Sequence, residues 1–475
     1  MEPNKNRVRS VLNPRTGQVD YEFTIMPDEE LVATCSRLRK NQEQWAAKPL
    51  ASRIEVMLAW ADQLEAHRDA IFEAESIDTG YSKMAQMSLN IVVGNIRGWC
   101  KQAPSVLKSA ERSGSTFVPI ITYQTYLRPY PLLGVISSWN APLHLSAIDF
   151  IPALLAGSAA IVKPSSVTPR FVAPVMDSIK AVPELAKVLT YVLGDGQLGQ
   201  RMTELVDIIC FTGSVENGRK VGEACARNFI PVFLELGGKD PLIVTATADL
   251  ERAATAALRG SIGNTGQVCF SVERIYVDAK VHDKFVDILA AKAAKIEFNY
   301  PDPKKGEMGP FISMGQADIV DRQLDDAVAK GAKIVVGGKS QTLGGGRYMP
   351  ATVLTNVTHD MIVMKEETFG PLMPIVKFTT EEEAVRLAND SNYGLSAAVI
   401  AGTEEEAMKI ALQLDAGTIN VQDVCLTFAK TLDVETNATK LSGIGGARTG
   451  PASILRFVKK RSYLTNKGAV ISTDL

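Results

Sequence analysis

Two short runs hold the residue types best suited to covalent chemistry: Leu234-Glu235-Leu236-Gly237-Gly238-Lys239, and further on Gly266-Gln267-Val268-Cys269. A thiolate attacks carbonyl carbon readily, and a carboxylate in a partly apolar pocket can later activate water against the resulting thioester. Carbon so held could be oxidised from aldehyde to acid. The same thiol beside an imidazole would instead make a cofactor-independent thiol hydrolase, with His144 or His282 as the base. No asparagine or aspartate pattern orients either histidine.

Other chemistry is less well supported. Cys35, Cys100, Cys210, Cys225 and Cys425 show no CxxC spacing, which predicts reduced thiols rather than a disulfide framework. The four histidines, His67, His144, His282 and His359, lack ligand spacing, so no metal site is expected. With 51 basic and 53 acidic residues and no long single-sign run, the chain offers no polyanion-binding surface, and no nucleic-acid partner is expected. No apolar run approaches the roughly 18 residues that span a bilayer. Met1-Glu2-Pro3-Asn4-Lys5 lacks the apolar core of a signal peptide. No membrane partner is expected, and the expected address is the cytoplasm.

The elements that must position these residues are legible in the hydrophobic pattern. At 475 residues the chain exceeds one ordinary core. Residues 28–110 have apolar positions at helical spacing, and 116–127 alternate like strand or hairpin material. From Gly134 short apolar runs alternate with helix-length segments: Gly134-Val135-Ile136-Ser137, Ala159-Ala160-Ile161-Val162, Leu189-Thr190-Tyr191-Val192-Leu193, Ile208-Ile209-Cys210-Phe211 and Pro231-Val232-Phe233-Leu234. A second series follows, at 241–244, 274–277, 333–336, 374–378 and 396–400. Two α/β domains with parallel sheets covered on both faces are predicted.

A nucleotide would bind at the carboxyl ends of such strands. Gly194-Asp195-Gly196-Gln197-Leu198-Gly199 has the GxGxxG form, but no acidic residue ends a second strand about 20 residues on, so it is weak as the principal phosphate loop. In Phe211-Thr212-Gly213-Ser214-Val215-Glu216-Asn217-Gly218, a strand runs through small residues into a helix, whose free N–H groups suit pyrophosphate oxygens. Lys163 directly follows an apolar strand. Lys365-Glu366-Glu367-Thr368-Phe369-Gly370-Pro371 joins carboxylate and aromatic in a turn, suited to a ribose and a flat ring. Taken singly, each of these has an ordinary structural explanation.

Together, and in order, they resemble the aldehyde dehydrogenase superfamily over essentially the whole chain. The matching landmarks are Ser138-Trp139-Asn140-Ala141-Pro142, Lys163-Pro164-Ser165-Ser166, Phe211-Thr212-Gly213-Ser214, Glu235-Leu236-Gly237-Gly238-Lys239, Gly266-Gln267-Val268-Cys269, Glu366-Glu367-Thr368-Phe369-Gly370-Pro371, Gly417-Thr418-Ile419-Asn420 and Lys440-Leu441-Ser442-Gly443. The resemblance implies a Rossmann-type cofactor domain (1–111 and 131–236), an α/β catalytic domain (237–445) and a small β arm (112–130 and 446–475) that makes a homodimer or homotetramer. It implies Cys269 as nucleophile, Glu235 as the base for hydrolysis and Asn140 as oxyanion donor. It implies NAD or NADP as cofactor, held by Ile136, Ser137, Trp139, Lys163, Ser166, Gly196, Gly213, Ser214, Leu236, Gly237, Glu367 and Phe369.

Two departures from the family pattern matter. Ser166 stands where NAD-preferring members often have glutamate, so NADP is expected to be tolerated. Residues 421–441 lack the usual aromatic-glycine-glycine run, which predicts a rearranged substrate entrance. Around the landmarks, Ala141, Leu145, Ile148, Gly263, Val268 and Phe270 are the candidate substrate contacts. They are apolar, with no arginine among them to hold a second carboxylate. A bulky apolar or aromatic aldehyde is expected, with a succinate-semialdehyde-like substrate as the alternative, and His144 could bond a substrate substituent.

Overall fold

Strands Leu132–Ile136, Ala159–Lys163 and Ile208–Thr212 are buried along their whole length. This explains their unbroken apolar runs, because a parallel strand covered on both faces has no solvent side. The structure, a computed structural model, describes residues 7–428 and 432–470. The expectations attached to 1–5, to 429–431 of the entrance segment and to 471–475 of the arm lie outside the described residues.

A six-stranded sheet runs in the order Gly443–Ile444, Val232–Glu235, Ile208–Thr212, Leu132–Ile136, Ala159–Lys163, Leu189–Tyr191. All pairings are parallel except that of Gly443–Ile444 with Val232–Glu235. The chain steps outward from Leu132–Ile136 to Leu189–Tyr191, then returns on the other side with Ile208–Thr212. That reversal is the doubly wound order expected from the sequence, and it opens a crevice at the carboxyl ends of the two central strands.

A seven-stranded sheet follows, in the order Lys333–Val336, Thr352–Thr355, Leu372–Phe378, Val272–Asp278, Asp240–Val244, Ser396–Ile400, Thr418–Val421. Only the first pairing is antiparallel. Side chains alternate between its faces. Leu242 and Val244 join one apolar cluster with Ala253, Ala257 and Phe285, while Ile243 joins another with Tyr276, Phe311 and Val320.

The helical span predicted at 28–110 is four helices, Asp28–Ala47, Leu50–Ala66, Arg68–Thr79 and Ser82–Ala110. The last buries Leu89, Val92, Val93, Ile96 and Trp99 in the core of the first sheet. Strand Val458–Asn466 pairs antiparallel with Ile121–Pro129, which also pairs with Ser113–Ser115, forming a three-stranded arm. Two placements differ from the expected partition. Gly443–Ile444, within the span assigned to the catalytic unit, edges the first sheet, and Ile454 and Phe457 anchor the final segment in its core. No helix among the described residues is long and apolar enough to cross a membrane.

Candidate active site

Glu235 ends its strand, paired with Thr212 on one side and Gly443 on the other. The chain then crosses to the second sheet through Gly237 and Gly238. A Cβ on Gly238 would lie 2.3 Å from the Cys269 carbonyl oxygen, and one on Gly237 would lie 2.3 Å from Glu367 Oε2. Neither position has space for a side chain, which accounts for the glycine pair directly after the carboxylate.

Cys269 follows a tight bend, Gly263–Gly266, in which Asn264 and Thr265 adopt φ of 51° and 59°. Left-handed backbone at a β-branched residue costs about 1–3 kcal/mol and needs compensation. Thr265 Oγ1 donates to Gly309 O at 3.0 Å, and Asn264 Nδ2 donates to Asn140 O at 2.9 Å. Asn140 Nδ2 in turn donates to Gln267 O at 2.9 Å. The Gln267 side chain accepts from Ile312 N at 2.9 Å and donates to Asn264 O at 3.0 Å. Asn140 and the thiol loop therefore fix one another, through Asn264 and Gln267 that the sequence reading did not single out.

A cavity of about 630 Å³ brings Asn140, Glu235 and Cys269 together, with Ala141, Leu145, Ile148, Val268 and Phe270 in its walls. Gly263 is a correction: it is exposed and is not among the lining residues. The helix Ser82–Ala110 contributes Met84, Met87, Ile91 and Trp99 to the wall. No motif marked these, because a helix face reads the same whether it meets a core or a cavity. The entrance segment supplies Thr427, Leu432, Asp433, Thr436 and Asn437. The expected absence of arginine is also corrected, since Arg448 lines the cavity. Its guanidinium is engaged by Asp149, Nη2 lying 2.8 Å from Oδ2.

Burial pushes the Glu235 carboxyl up to about 7, with Arg448 and Arg456 drawing it down and Asp149 adding to the rise. Burial, reinforced by Glu367, pushes the Cys269 thiol up to about 12. A thiol so raised is neutral near pH 7, and the carboxyl of Glu235, a possible acceptor for its proton, stands in the same cavity. His144 lines the wall, drawn down to about 4 by burial, and its Nδ1 has no hydrogen-bond partner. His282 opens the helix His282–Ala293, away from the cavity wall, and its Nδ1 lies 2.7 Å from Oδ1 of the adjacent Asp283. The thiol–imidazole pair of a hydrolase is formed with neither.

A second cleft, about 780 Å³, occupies the crevice of the first sheet and is lined by Ile136, Ser137, Trp139, Lys163, Ser166, Gly196, Gly213 and Ser214. Ser214 caps helix Val215–Arg227, its side chain accepting from Asn217 N at 3.4 Å. Ser214 and Asn217, at the start of that helix, line the cleft. In the GxGxxG run the Asp195 carboxylate takes the N–H groups of Gln197 and Leu198, both at 3.1 Å, so that helix end is already satisfied. Burial lowers the Lys163 ammonium to about 8.

Leu236, Gly237, Glu367 and Phe369 are not walls of this cleft. They form the bridge from it toward the thiol. Gly238 N donates to Glu367 Oε1 at 3.2 Å, and the Phe369 ring meets Trp139 edge to face at 5.3 Å. Burial raises the Glu367 carboxyl to about 8. The turn is held by a buried pair: Lys239 Nζ donates to Glu273 Oε2 at 2.8 Å and to Thr368 Oγ1 at 2.7 Å. Glu273 also accepts from the N–H groups of Thr368 and Phe369, both at 2.8 Å. A crevice at a strand-order reversal, a helix start that lines it and a carboxylate beside paired rings are parts that suit a dinucleotide.

The sequence matches the model of the Aldehyde dehydrogenase family over residues 1–462. It is 35% identical over 452 residues, 94% of this chain and 87% of the relative, to a Mycolicibacterium smegmatis protein named, provisionally, as an NADP(+) succinate-semialdehyde dehydrogenase. It is 35% identical over 462 residues, 96% of this chain and 86% of the relative, to 4,4'-diapolycopene aldehyde oxidase of Methylomonas sp.. Among solved structures it is similar to an Anabaena variabilis protein provisionally called aldehyde dehydrogenase PutA, with TM-score 0.96 and 46% identity over 99% of this chain and 100% of the other. It is also similar to Staphylococcus aureus betaine aldehyde dehydrogenase in complex with NAD+, with TM-score 0.92 and 30% identity over 99% and 94%.

Proposed function

Because the chain belongs to the aldehyde dehydrogenase family, we propose that it oxidises a bulky apolar or aromatic aldehyde to the free acid, with Cys269 as nucleophile, Asn140 as oxyanion donor and Glu235 as base. The enzyme is an NAD(P)-dependent aldehyde dehydrogenase. The observation that carries the residue roles is the single cavity shared by Asn140, Glu235 and Cys269.

Cys269 Sγ bonds to the aldehyde carbon as its proton passes to the base. The second N–H of Asn140 Nδ2 and the Cys269 N–H face the oxygen on which negative charge collects. The bound nicotinamide supplies the acceptor for the hydride that leaves that carbon. Glu235, once it has passed the thiol's proton on to solvent, takes a proton from water as the water adds to the thioester, and as the S–C bond breaks that proton goes to the departing thiolate, releasing acid and restoring the thiol. Glu367 is suited to hold the ribose, and Gly213 and Ser214 the pyrophosphate.

Met84, Met87, Ile91, Leu145, Ile148 and Phe270 support an apolar substrate, as does the name of the Methylomonas relative. A semialdehyde is the second reading, favoured by Arg448 in the wall and by the mycobacterial relatives' names. Ser166 in the cleft supports use of NADP beside NAD, since no carboxylate at that position repels a 2′-phosphate. A homo-oligomer assembled through the arm and a cytoplasmic setting complete the reading, the latter fitting six free thiols.

The test follows reduced-nicotinamide absorbance with aromatic aldehydes, long alkanals and succinic semialdehyde, each with NAD and NADP. Turnover of the apolar aldehydes with kcat/KM well above that of the semialdehyde supports the first reading, and the reverse order the second. A preference of about a thousandfold for NAD would sink the claim on Ser166, corresponding to roughly 4 kcal/mol of discrimination.

A further inference from the structure

Beneath Glu235 the structure buries three charges that the reaction above does not use: Asp149, Arg448 and Arg456, with side chains 3%, 10% and 7% exposed. Arg448 Nη2 donates to Asp149 Oδ2 at 2.8 Å and to Thr212 Oγ1 at 2.7 Å. Arg456 Nη1 lies 3.7 Å from Asp149 Oδ1, and its guanidinium carbon lies 3.9 Å from the centre of the Phe233 ring. Thr212 is the strand partner of Glu235, and Phe233 precedes Glu235 on the same strand. The cluster is thus fastened to the two strands that fix the base.

Arg448 alone of the three reaches the cavity, lining it with Glu235 and Cys269, and its buried Nε has no hydrogen-bond partner. A guanidinium held by two side-chain acceptors cannot turn away, so its field acts on the cavity as a fixed quantity. We propose that Arg448, held in place by Asp149, is a positioning residue for Glu235, its fixed guanidinium stabilising the carboxylate form that draws a proton from the hydrolytic water. The proposal rests on Glu235 being that base.

The groups facing Glu235 can be named element by element. The loop after Gly443–Ile444 brings Arg448, the helical turn Pro451–Phe457 brings Arg456, and the segment from Pro142 brings His144 and Asp149. Strand Ile208–Thr212 brings Cys210, and the thiol loop brings Cys269. His144 is neutral near pH 7, held down at about 4, and burial raises both thiols, so the charges left to act on Glu235 are those of the two arginines and Asp149. The arginines favour ionised Glu235 and Asp149 opposes it.

The two members of the pair should therefore move the base in opposite directions. The experiment measures first-turnover burst and steady-state rate against pH for the wild type, Arg448→Met, Arg448→Lys and Asp149→Asn, with Glu235→Gln as reference. In Arg448→Met the ascending limb of the steady-state rate should rise by about one pH unit or more. In Arg448→Lys it should stay near the wild-type position, and in Asp149→Asn it should fall. Cys269 also faces Arg448, but its proton is lost far above this range, so a limb near neutrality reports the carboxylate. Limbs that stay fixed while rates drop, or that move the same way in Arg448→Met and Asp149→Asn, would overturn the proposal. If Arg448→Met does not fold, Arg448→Lys and Asp149→Asn still decide it. If Glu235→Gln keeps the wild-type limb and steady rate, the assignment of the base itself has failed.

Discussion

At Glu235 and Cys269, desolvation and neighbouring charge leave a carboxyl that ionises at about 7 and a thiol raised to about 12. A general base works only when ionised, so turnover should climb through about pH 7 and level above it. Cys269→Ala should abolish both thioester formation and NAD(P)H production. Glu235→Gln should keep a first-turnover burst, slow deacylation and lose the ascending limb. Steady turnover in the alanine variant would refute the nucleophile. These roles could be proposed from sequence because the runs around Glu235 and Cys269 are contiguous. That of Arg448 could not, since nothing in Ala447-Arg448-Thr449 points to a carboxylate on a strand that ends at Glu235. Gly263 was misplaced because nearness in sequence to Cys269 was read as nearness to the thiol, whereas the intervening left-handed bend turns it outward.

The decisive elements are the connections between the sheets. Glu273 and Arg274 are buried in the otherwise apolar strand Val272–Asp278, a pattern visible in the sequence but silent about its partners. In the fold Glu273 pairs with buried Lys239 and accepts both N–H groups of the turn that presents Glu367 and Phe369. Removing one member of such a pair strands the other charge, so Glu273→Gln should cost about 3–5 kcal/mol in denaturant unfolding. The KM for NAD(P) should rise in the same variant, while the rate of thiol alkylation at Cys269 changes little. An unaltered cofactor KM would show that the turn is held by other contacts, such as Gln316 to Thr368 O and Gln323 to Glu367 O.

For the whole molecule, several buried carboxyls have raised values for the same reason, desolvation, among them Glu75 and Glu367 at about 8, Glu235 at about 7 and Asp78 at about 6, with Asp240 also raised. Between the ordinary carboxyl range and these values the folded chain holds protons that the unfolded chain has released. Stability must therefore fall as pH rises through that interval. The melting temperature of the cofactor-free protein should decline from about pH 5 to about pH 8, and less steeply in Glu75→Gln. An equal decline in that variant would show that Glu75 titrates without coupling to folding. The arm carries Phe117, Ile120, Tyr126 and Leu464 exposed, more apolar surface than a lone subunit is expected to present. Light scattering should find a dimer or larger, and Leu464→Lys should shift it toward monomer; a wild-type monomer would reject the arm as an interface. The sequence by itself determined the alternation of strands and helices and the doubly wound class, and its runs at 234–239 and 266–269 put forward Glu235 and Cys269 as the proposed base and nucleophile. Those signals are local, written in period and in contiguous motifs. Only the tertiary structure decided that the helix Ser82–Ala110 walls the cavity, that Asp195 closes the tempting glycine run, and that Arg448 and Asp149 lie under Glu235. Burial and electric field at a site are sums over atoms from distant parts of the chain, and they exist only once the fold has brought those atoms together.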